Sequence, residues 1–517
     1  MRKLIFLFLV GLAITVSSCR QDFVFEKSNG KLTFSKDTIY LDTVFTNIGS
    51  STYTLKVYNK SSKDIKIPTI RLAKGVGSKY RMTVDGMTGY ENRIFHDVEL
   101  LAKDSMYIFI ETTANIGDAN PTDFLYTDQI EFDSGANLQK VELVTLIQDA
   151  YFIFPNNTNG VYEQIPIGLN EDGTVLETNG RNLSHTHPDN GNEYLFKTDK
   201  PYVIYGYASV PSGEILTIPA GARVHFHDQS GLVVQEGGSL HITGSSSTTA
   251  ALENEVIFEG DRLEPDFSNV PGQWGTVYLR QGSINHSIKN LTLKNAIIGL
   301  LVENNLGTPM TIVNTQIYDC SNVGLLGRGA TIQGKNIVIN TAGVATLACT
   351  LGGSYDFKHC TFNNNWSSSK QVAVLVDNYY TDAANTEHPF DLQQANFSNC
   401  IIFGSNQVEL LLKKSTVSPD TYWTQPVFSK CQIRFNNTNN QFTTLPEYAF
   451  LNDMAEIIKN GDPDFLDISK NKLMIGADSA GNGFGNDVGV PFDILNSPRV
   501  LPNIDLGAYQ HITFPAN

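Results

Sequence analysis

Long apolar runs are missing from this 517-residue chain apart from one at its start, Leu4 to Val16. That run falls short of the roughly 20 residues a membrane-spanning helix needs. Basic charge is also in deficit, with 37 Lys and Arg against 53 Asp and Glu. The excess of acid favours solubility and gives no electrostatic basis for holding nucleic acid. Between residues 201 and 450 no helical pattern separates the short apolar segments, so strands are expected to build that part. Cysteine is sparse: after Cys19 only Cys320, Cys349, Cys360, Cys400 and Cys431 remain, an odd set that leaves at least one thiol unpaired in a monomer.

What the start does contain is Arg2 and Lys3, the apolar run, and then Ser17, Ser18 and Cys19, the charged, apolar and small-residue order of a signal peptide over residues 1–18. Val16-Ser17-Ser18-Cys19 resembles the bacterial lipobox. The resemblance implies cleavage before Cys19 and its acylation, with residues 19–30 as a tether and the membrane as a partner through the lipid. Two or more acyl chains hold a protein on a membrane stably, at about 0.8 kcal/mol per buried methylene. Without residues 1–18 the chain keeps 35 basic and 53 acidic residues, a formal charge of −18.

From residue 31 to 150, short alternating segments such as Thr52–Tyr58, Ser105–Ile110 and Val141–Leu146 are separated by polar clusters, the pattern of an antiparallel sandwich. The run Leu55-Lys56-Val57-Tyr58-Asn59-Lys60-Ser61 resembles immunoglobulin-like modules related to the abnormal-spindle family. Residues 151–200 read as a linker and cap. From 201 to 450 short strands recur at a period that indicates a solenoid. Segments beginning at Asn290, Asn314, Asn336, His359, Asn399 and Lys430 are spaced by 24, 22, 23, 40 and 31 residues, the last two spacings being one coil plus an insertion. Because side chains alternate across a strand, the second positions (Leu291, Thr315, Ile337, Cys360, Cys400, Cys431) and fourth positions (Leu293, Ile317, Ile339, Phe362, Ile402, Ile433) belong inside. The third positions, Thr292, Gln316, Val338, Thr361, Ile401 and Gln432, are expected to face solvent. A second sheet is expected through residues 299–302, 324–326, 372–376 and 408–412. The short run Asp453–Gly461 is expected to be a helix, and residues 451–517 a cap over the open end.

Leu216–Val224, Gly237–Leu240, Pro271–Gly275 and Gly352–Phe362 resemble a right-handed parallel β-helix lipoprotein family of Bacteroidetes. The resemblance implies an all-β chain, a sandwich followed by a right-handed parallel β-helix and a C-terminal cap. It brings no assigned reaction.

Several constellations invite chemistry. His185-Thr186-His187-Pro188-Asp189 lacks further ligands at a zinc-like spacing and reads as a polar loop. Arg223, His225 and His227 alternate with Ala222, Val224 and Phe226 and read as an exposed strand face. The oxygen-rich stretch around Asp478, Asn482, Asn486 and Asp487 lacks the charge spacing of a calcium loop. No metal or cofactor is expected. Among the outward third and fifth positions of the six strands none is acidic, and Lys294 and Arg434 lie several coils apart, so no paired carboxylates for glycoside hydrolysis assemble there and no catalytic residue is assigned. The expected role is a non-catalytic cell-envelope lipoprotein, outer-membrane anchored, presenting a rod to a polysaccharide or cell-wall ligand through Thr292, Gln316, Tyr318, Thr361, Phe403 and Gln432. The alternatives are a β-helix lyase or hydrolase, with acids in an insertion such as Asp377 to Asp391, and a purely structural envelope protein.

Overall fold

The computed structural model describes residues 24–169, 174–305, 307–417, 420–442 and 444–514. The expected signal peptide and Cys19 lie outside the described residues. The chain forms two compact units, Met1–Asp149 and Ala150–Asn517, and is all-β with large parallel sheets and a small sandwich-like region.

In the first unit one sheet orders Thr38–Phe45, Gln139–Gln148, Leu125–Phe132 and Ile65–Leu72, and the other orders Thr33–Phe34, Tyr53–Tyr58, Ser105–Thr112 and Tyr80–Val84. Alternation puts Leu55, Val57, Ile108 and Ile110 from one sheet into a single core with Ile130, Phe132, Val141 and Leu143 from the other. Asn59, at the end of its strand, is buried because its side chain donates to the carbonyls of Lys63 and Leu101 (2.8 and 2.9 Å) and accepts from the Ser61 amide (3.0 Å). Such an Asx turn needs Asn and then a small polar residue. Glu26–Lys27, inside the expected tether, pairs with Ile65–Leu72 as a strand.

The second unit is built from turns of chain stacked in register. One parallel sheet has 17 strands, running from Tyr151–Ile153 to Ile457–Lys459, and another has 10 strands, parallel apart from one antiparallel pair at its start. The second contains Ala296–Glu303, Val323–Arg328, Val372–Asp377 and Leu410–Lys413, where it was expected. In the long sheet each turn supplies two runs of ladder that meet at a single residue with positive φ, Asn290, Asn314, Asn336, His359, Asn399 or Lys430, all between 49° and 55°, and at Asn314 and Asn336 the strand continues through it. Asparagine reaches that left-handed conformation more readily than other side chains, which is why four of the six segments begin with it.

Both inward rows are buried, and the fourth positions stack as Leu293, Ile317, Ile339, Phe362, Ile402 and Ile433 in unbroken register. Phe357, Phe397 and Phe428 add an aromatic stack at 5.5 and 4.8 Å. Residues 151–200 are more than a linker: Tyr151–Ile153 and Val175–Asn182 extend the two sheets, and a buried Arg181–Glu193 ion pair at 2.6 Å sits beside them.

Two expectations about the C-terminal part are corrected. Residues 453–461 are not a helix; a turn closed on Asp453 leads into Ile457–Lys459, which pairs with Cys431–Ile433, because two adjacent β-branched residues continue the ladder. Residues 451–517 also do more than close the end of the core: Leu451 and Ile457 join Phe435 and Tyr448 in its last layer, and the chain that follows doubles back over the long sheet.

Ile339 sits in the middle of the inward ladder with no exposure. Ile339→Ala is expected to cost about 2–5 kcal/mol through lost burial and the cavity left behind, measured as a shift in the denaturant unfolding midpoint. A loss below about 0.5 kcal/mol, the scale of surface substitutions, would contradict this packing.

Candidate functional site

The row expected to meet a ligand points away from the core yet is covered. Val338 and Ile401 in that row are apolar and fully buried, and an outward apolar strip requires a cover. Residues 462–514 supply it: Val338 and Tyr318 pack with Leu473, Ile494, Ala508 and Tyr509, and Ile401 packs with Ile475 and Leu506. Thr361 Oγ1 accepts from the Ala508 amide (3.0 Å), Gln432 Nε2 donates to the Gly461 carbonyl (2.8 Å), and Tyr509 OH donates to Gln316 Oε1 (3.3 Å). Phe403 lies edge-on to Phe465 at 6.5 Å with the Arg434 guanidinium 5.0 Å from its ring. Corner asparagines join in, Asn336 Nδ2 donating to the Phe492 carbonyl and Asn399 Nδ2 to that of Asn486. Of the six expected ligand residues, Thr292, Tyr318, Thr361 and Gln432 are therefore buried, and Gln316 and Phe403 are half-buried against the covering chain, so the row is not an open platform.

In the earlier turns the same face carries a charged cluster. Arg223 and His225 are not an exposed strip: Arg223 donates to the carbonyls of Glu255 (2.7 Å) and Leu252 (2.8 Å), and His225 is buried 3.8 Å from Glu259. Glu259 also meets Lys294 at 2.8 Å. Burial works to raise the Glu259 pKa, but His225 and Lys294 outweigh it and hold it low; burial raises Glu255, which accepts from Thr292 Oγ1 at 2.7 Å. Thr292 thus belongs to a hydrogen-bonded network. Glu255 and Glu259 escaped the sequence reading because they flank or lie in Val256–Gly260, one turn before the first aligned segment.

His227 bonds to Asp261 (2.7 Å) and His185 to Glu214 (3.1 Å). Asn482 donates to the carbonyls of Gly476 and Ala477, forming a turn. Among the described residues no group of three or more His, Cys, Asp or Glu could hold a metal ion, and the five cysteines are free and buried.

A concave feature with aromatic lining lies in the insertion that lengthened the repeat to 40 residues. Tyr379–Thr381 and Glu387–Pro389 pair antiparallel as a hairpin beyond the end of Val372–Asp377. Between the hairpin and the ends of the second-sheet strands is a groove of about 1080 Å³. Its strand side carries Arg328, Thr350 and Asp377, and its hairpin side carries Tyr379, Tyr380, Asp382 and Phe390. Tyr380 and Phe390 are 46% and 38% exposed, large aromatic surface left in water. Tyr380 stacks on His388 at 4.7 Å, and His388 Nε2 is 2.8 Å from Asp382 Oδ2. That hydrogen bond holds the Asp382 carboxyl below its ordinary range. Arg328 is paired with Glu303 at 2.8 Å, and Asp377 accepts from the Leu351 amide at 2.9 Å while burial pushes its pKa up to about 6. Rings beside a cation, a carboxyl and hydroxyls can stack on a sugar face and bond its hydroxyls.

Another buried carboxyl stands at the opposite end of the same strands. Glu409 has no exposure, and its oxygens accept from the amides of Asn406 and Ala373, both at 2.7 Å. Burial pushes its pKa up to about 8. The hydrogen bond from the Gln371 side chain and the two amides work against that rise, and burial outweighs them.

No protein-family model and no curated protein matches the chain. Among solved structures, the PapD-like domain 7 of human CEP192 is similar at 13% identity over 26% of this chain and 96% of that one, with a TM-score of 0.15. The Escherichia coli chaperone DraB is similar at 13% identity over 27% of this chain and 61% of that one, TM-score 0.16. A family 123 glycoside hydrolase from Clostridium perfringens is similar at 8% identity over 23% and 30%, TM-score 0.16. At these scores the likenesses carry no argument about fold or activity.

Folded Glu409 keeps its proton to about pH 8, whereas its ordinary pKa is 4.5. The unfolded chain then binds fewer protons across that window, so this group's contribution is full below pH 4.5 and is lost as pH rises through 8. Glu409→Gln is expected to flatten the fall in thermal midpoint between those limits; parallel pH profiles of the two proteins would refute the assignment.

Proposed function

We propose that the protein is a non-catalytic cell-envelope lipoprotein that recognises glycan through the hairpin groove. In this reading Cys19 carries the lipid and holds the chain on the outer membrane. The first unit is an immunoglobulin-like module, and the second is a right-handed parallel β-helix of the Bacteroidetes lipoprotein type. The observation that carries the ligand class is the exposed pair Tyr380 and Phe390 beside Arg328 and Asp377. Aromatic rings with a few convergent polar groups suit a ligand whose faces are apolar and whose edges are hydroxyls.

The catalytic alternative has one observation in its favour, an Asp377 carboxyl raised to about 6 within the groove. Hydrolysis with two carboxyl groups needs a partner on the far side of the bond, and Asp382 is occupied by His388 and by the amides of Ala384 and Thr386. Binding without turnover is the reading the groove favours.

Cys19→Ala is expected to abolish lipid labelling and release the protein from membranes; unchanged labelling would end the lipoprotein reading. Tyr380→Ala combined with Phe390→Ala is expected to weaken polysaccharide binding roughly tenfold or more, with little dependence on salt, as measured by calorimetry and affinity electrophoresis. Undiminished binding would reject this groove, and new reducing ends or unsaturated products would establish the catalytic alternative.

A further inference from the structure

The start of the second-sheet strands carries a groove of different chemistry from the one under the hairpin. About 380 Å³ in volume, it is lined by Gln371, Asn406, Gln407, Asn436, Asn439 and Gln441 among others. Among the described residues Lys370 is its one charged lining residue, and no acid lines it. An amide offers two donors and an acceptor of two lone pairs, so a wall of amides matches a surface of hydroxyls, each of which both donates and accepts. A phosphate, a sulfate or a uronate would find a single cation here.

The amides are held in place. Asn406 Nδ2 donates to the carbonyls of Gln371 (2.8 Å) and Ser368 (3.1 Å), Gln371 Nε2 donates to Ser405 Oγ (3.0 Å), and Asn436 Nδ2 donates to Gln407 Oε1 (2.8 Å). Glu409 fixes the same turn from behind through the Asn406 amide. A preorganised wall loses less entropy when a ligand meets it.

The two grooves flank one strand. Gln371 precedes Val372–Asp377, and Asp377 ends it in the hairpin groove. Six residue steps of about 3.3 Å place the two sites about 20 Å apart. On the outer face between them lie Leu375 and Leu411, half-buried and cross-strand neighbours. Together the exposed rings, the uncharged amides and this separation select one ligand.

We propose that the amide-lined groove is a second contact site for an extended, uncharged polysaccharide, one chain lying along Val372–Asp377 and engaging both grooves at once. The proposal rests on the glycan reading of the hairpin groove and adds to it the charge and the minimum length of the ligand. Two contacts on one chain raise its affinity above that of a fragment reaching only one.

The test uses the full lipid-anchored chain in detergent and ladders of neutral oligosaccharides, cellobiose to cellohexaose with matching mannan and xylan series, by calorimetry. Affinity is expected to climb steeply once a series can span both sites. Gln407→Ala combined with Gln441→Ala, both at exposed positions, is expected to cost about tenfold on the longest sugars, as two lost hydrogen bonds imply, with thermal unfolding followed alongside to show that the fold is kept. The shortest sugars, held under the hairpin, should bind that variant unchanged. Short and long sugars binding equally to the native protein, or an intact length dependence in the variant, would overturn the second site while leaving the hairpin site standing. Binding only of uronate-containing chains would overturn the uncharged class, and no binding at any length would overturn both readings.

Discussion

In-register parallel stacking is the constraint on which the second unit depends. Each strand satisfies its backbone amides and carbonyls through the turn before and the turn after it, so one register has to hold from Tyr151–Ile153 to Ile457–Lys459. A slip of one residue would exchange the inward and outward rows along a whole strand. Rows therefore behave as single units: Leu293 through Ile433 form one apolar column, and the corner residues Asn290 through Lys430 form one column of left-handed backbone. The same repetition makes the outer face a column too, and an apolar residue on it cannot be hidden by moving to the other side of its strand.

That is how the long sheet acquires its cover. Val338 and Ile401 face outward in a stack that cannot turn them inward, and the chain after Ile457–Lys459 returns over them with Leu473, Ile475, Ile494 and Leu506. The covering segment has little regular structure, so its backbone is satisfied partly within itself, as where the Ala480 amide donates to the Asp462 carbonyl, and partly by the face beneath, with Asn336, Asn340, Asn399 and Gln432 donating to its carbonyls. Polar residues in the outward rows thus serve attachment, as do the apolar ones.

The inward rows and the second sheet were legible in the sequence because they are local and repeated, and alternation identifies the faces; the recurring Asn marked where segments start, while its left-handed bend came from the structure. The expected ligand row was misread for a physical reason. Alternation tells which residues leave the core but not what lies over them, and the cover comes from 29 residues on at Gln432, 128 at Asn340 and 193 at Gln316. Val338 and Ile401 were the available signal, being two β-branched residues in a row supposed to face water. The spacing of 40 residues between His359 and Asn399 did mark the insertion that forms the hairpin groove, although strand periodicity has nothing to say about the shape an insertion takes. Glu255 and Glu259 were out of reach, because the irregular segment between Gly260 and Trp274 breaks the period just where they would have been aligned.

Where recognition can evolve on such a scaffold follows from the same stacking. A change in one strand disturbs its neighbours on both sides, whereas a corner can lengthen without altering register, as Val376 still meets Leu412 across the long intervening excursion that contains the hairpin. Long surface loops add little entropic cost once their ends are fixed, about 0.6 kcal/mol for each doubling. Both grooves are made where inserted chain meets strand ends: Tyr380 and Phe390 come from one excursion, and Asn436, Asn439 and Gln441 from another. The strands contribute the rigid floor, Arg328 and Asp377 at one edge and Gln371 just before the other. The distance between the sites is then fixed by the length of a strand, which no loop movement can change.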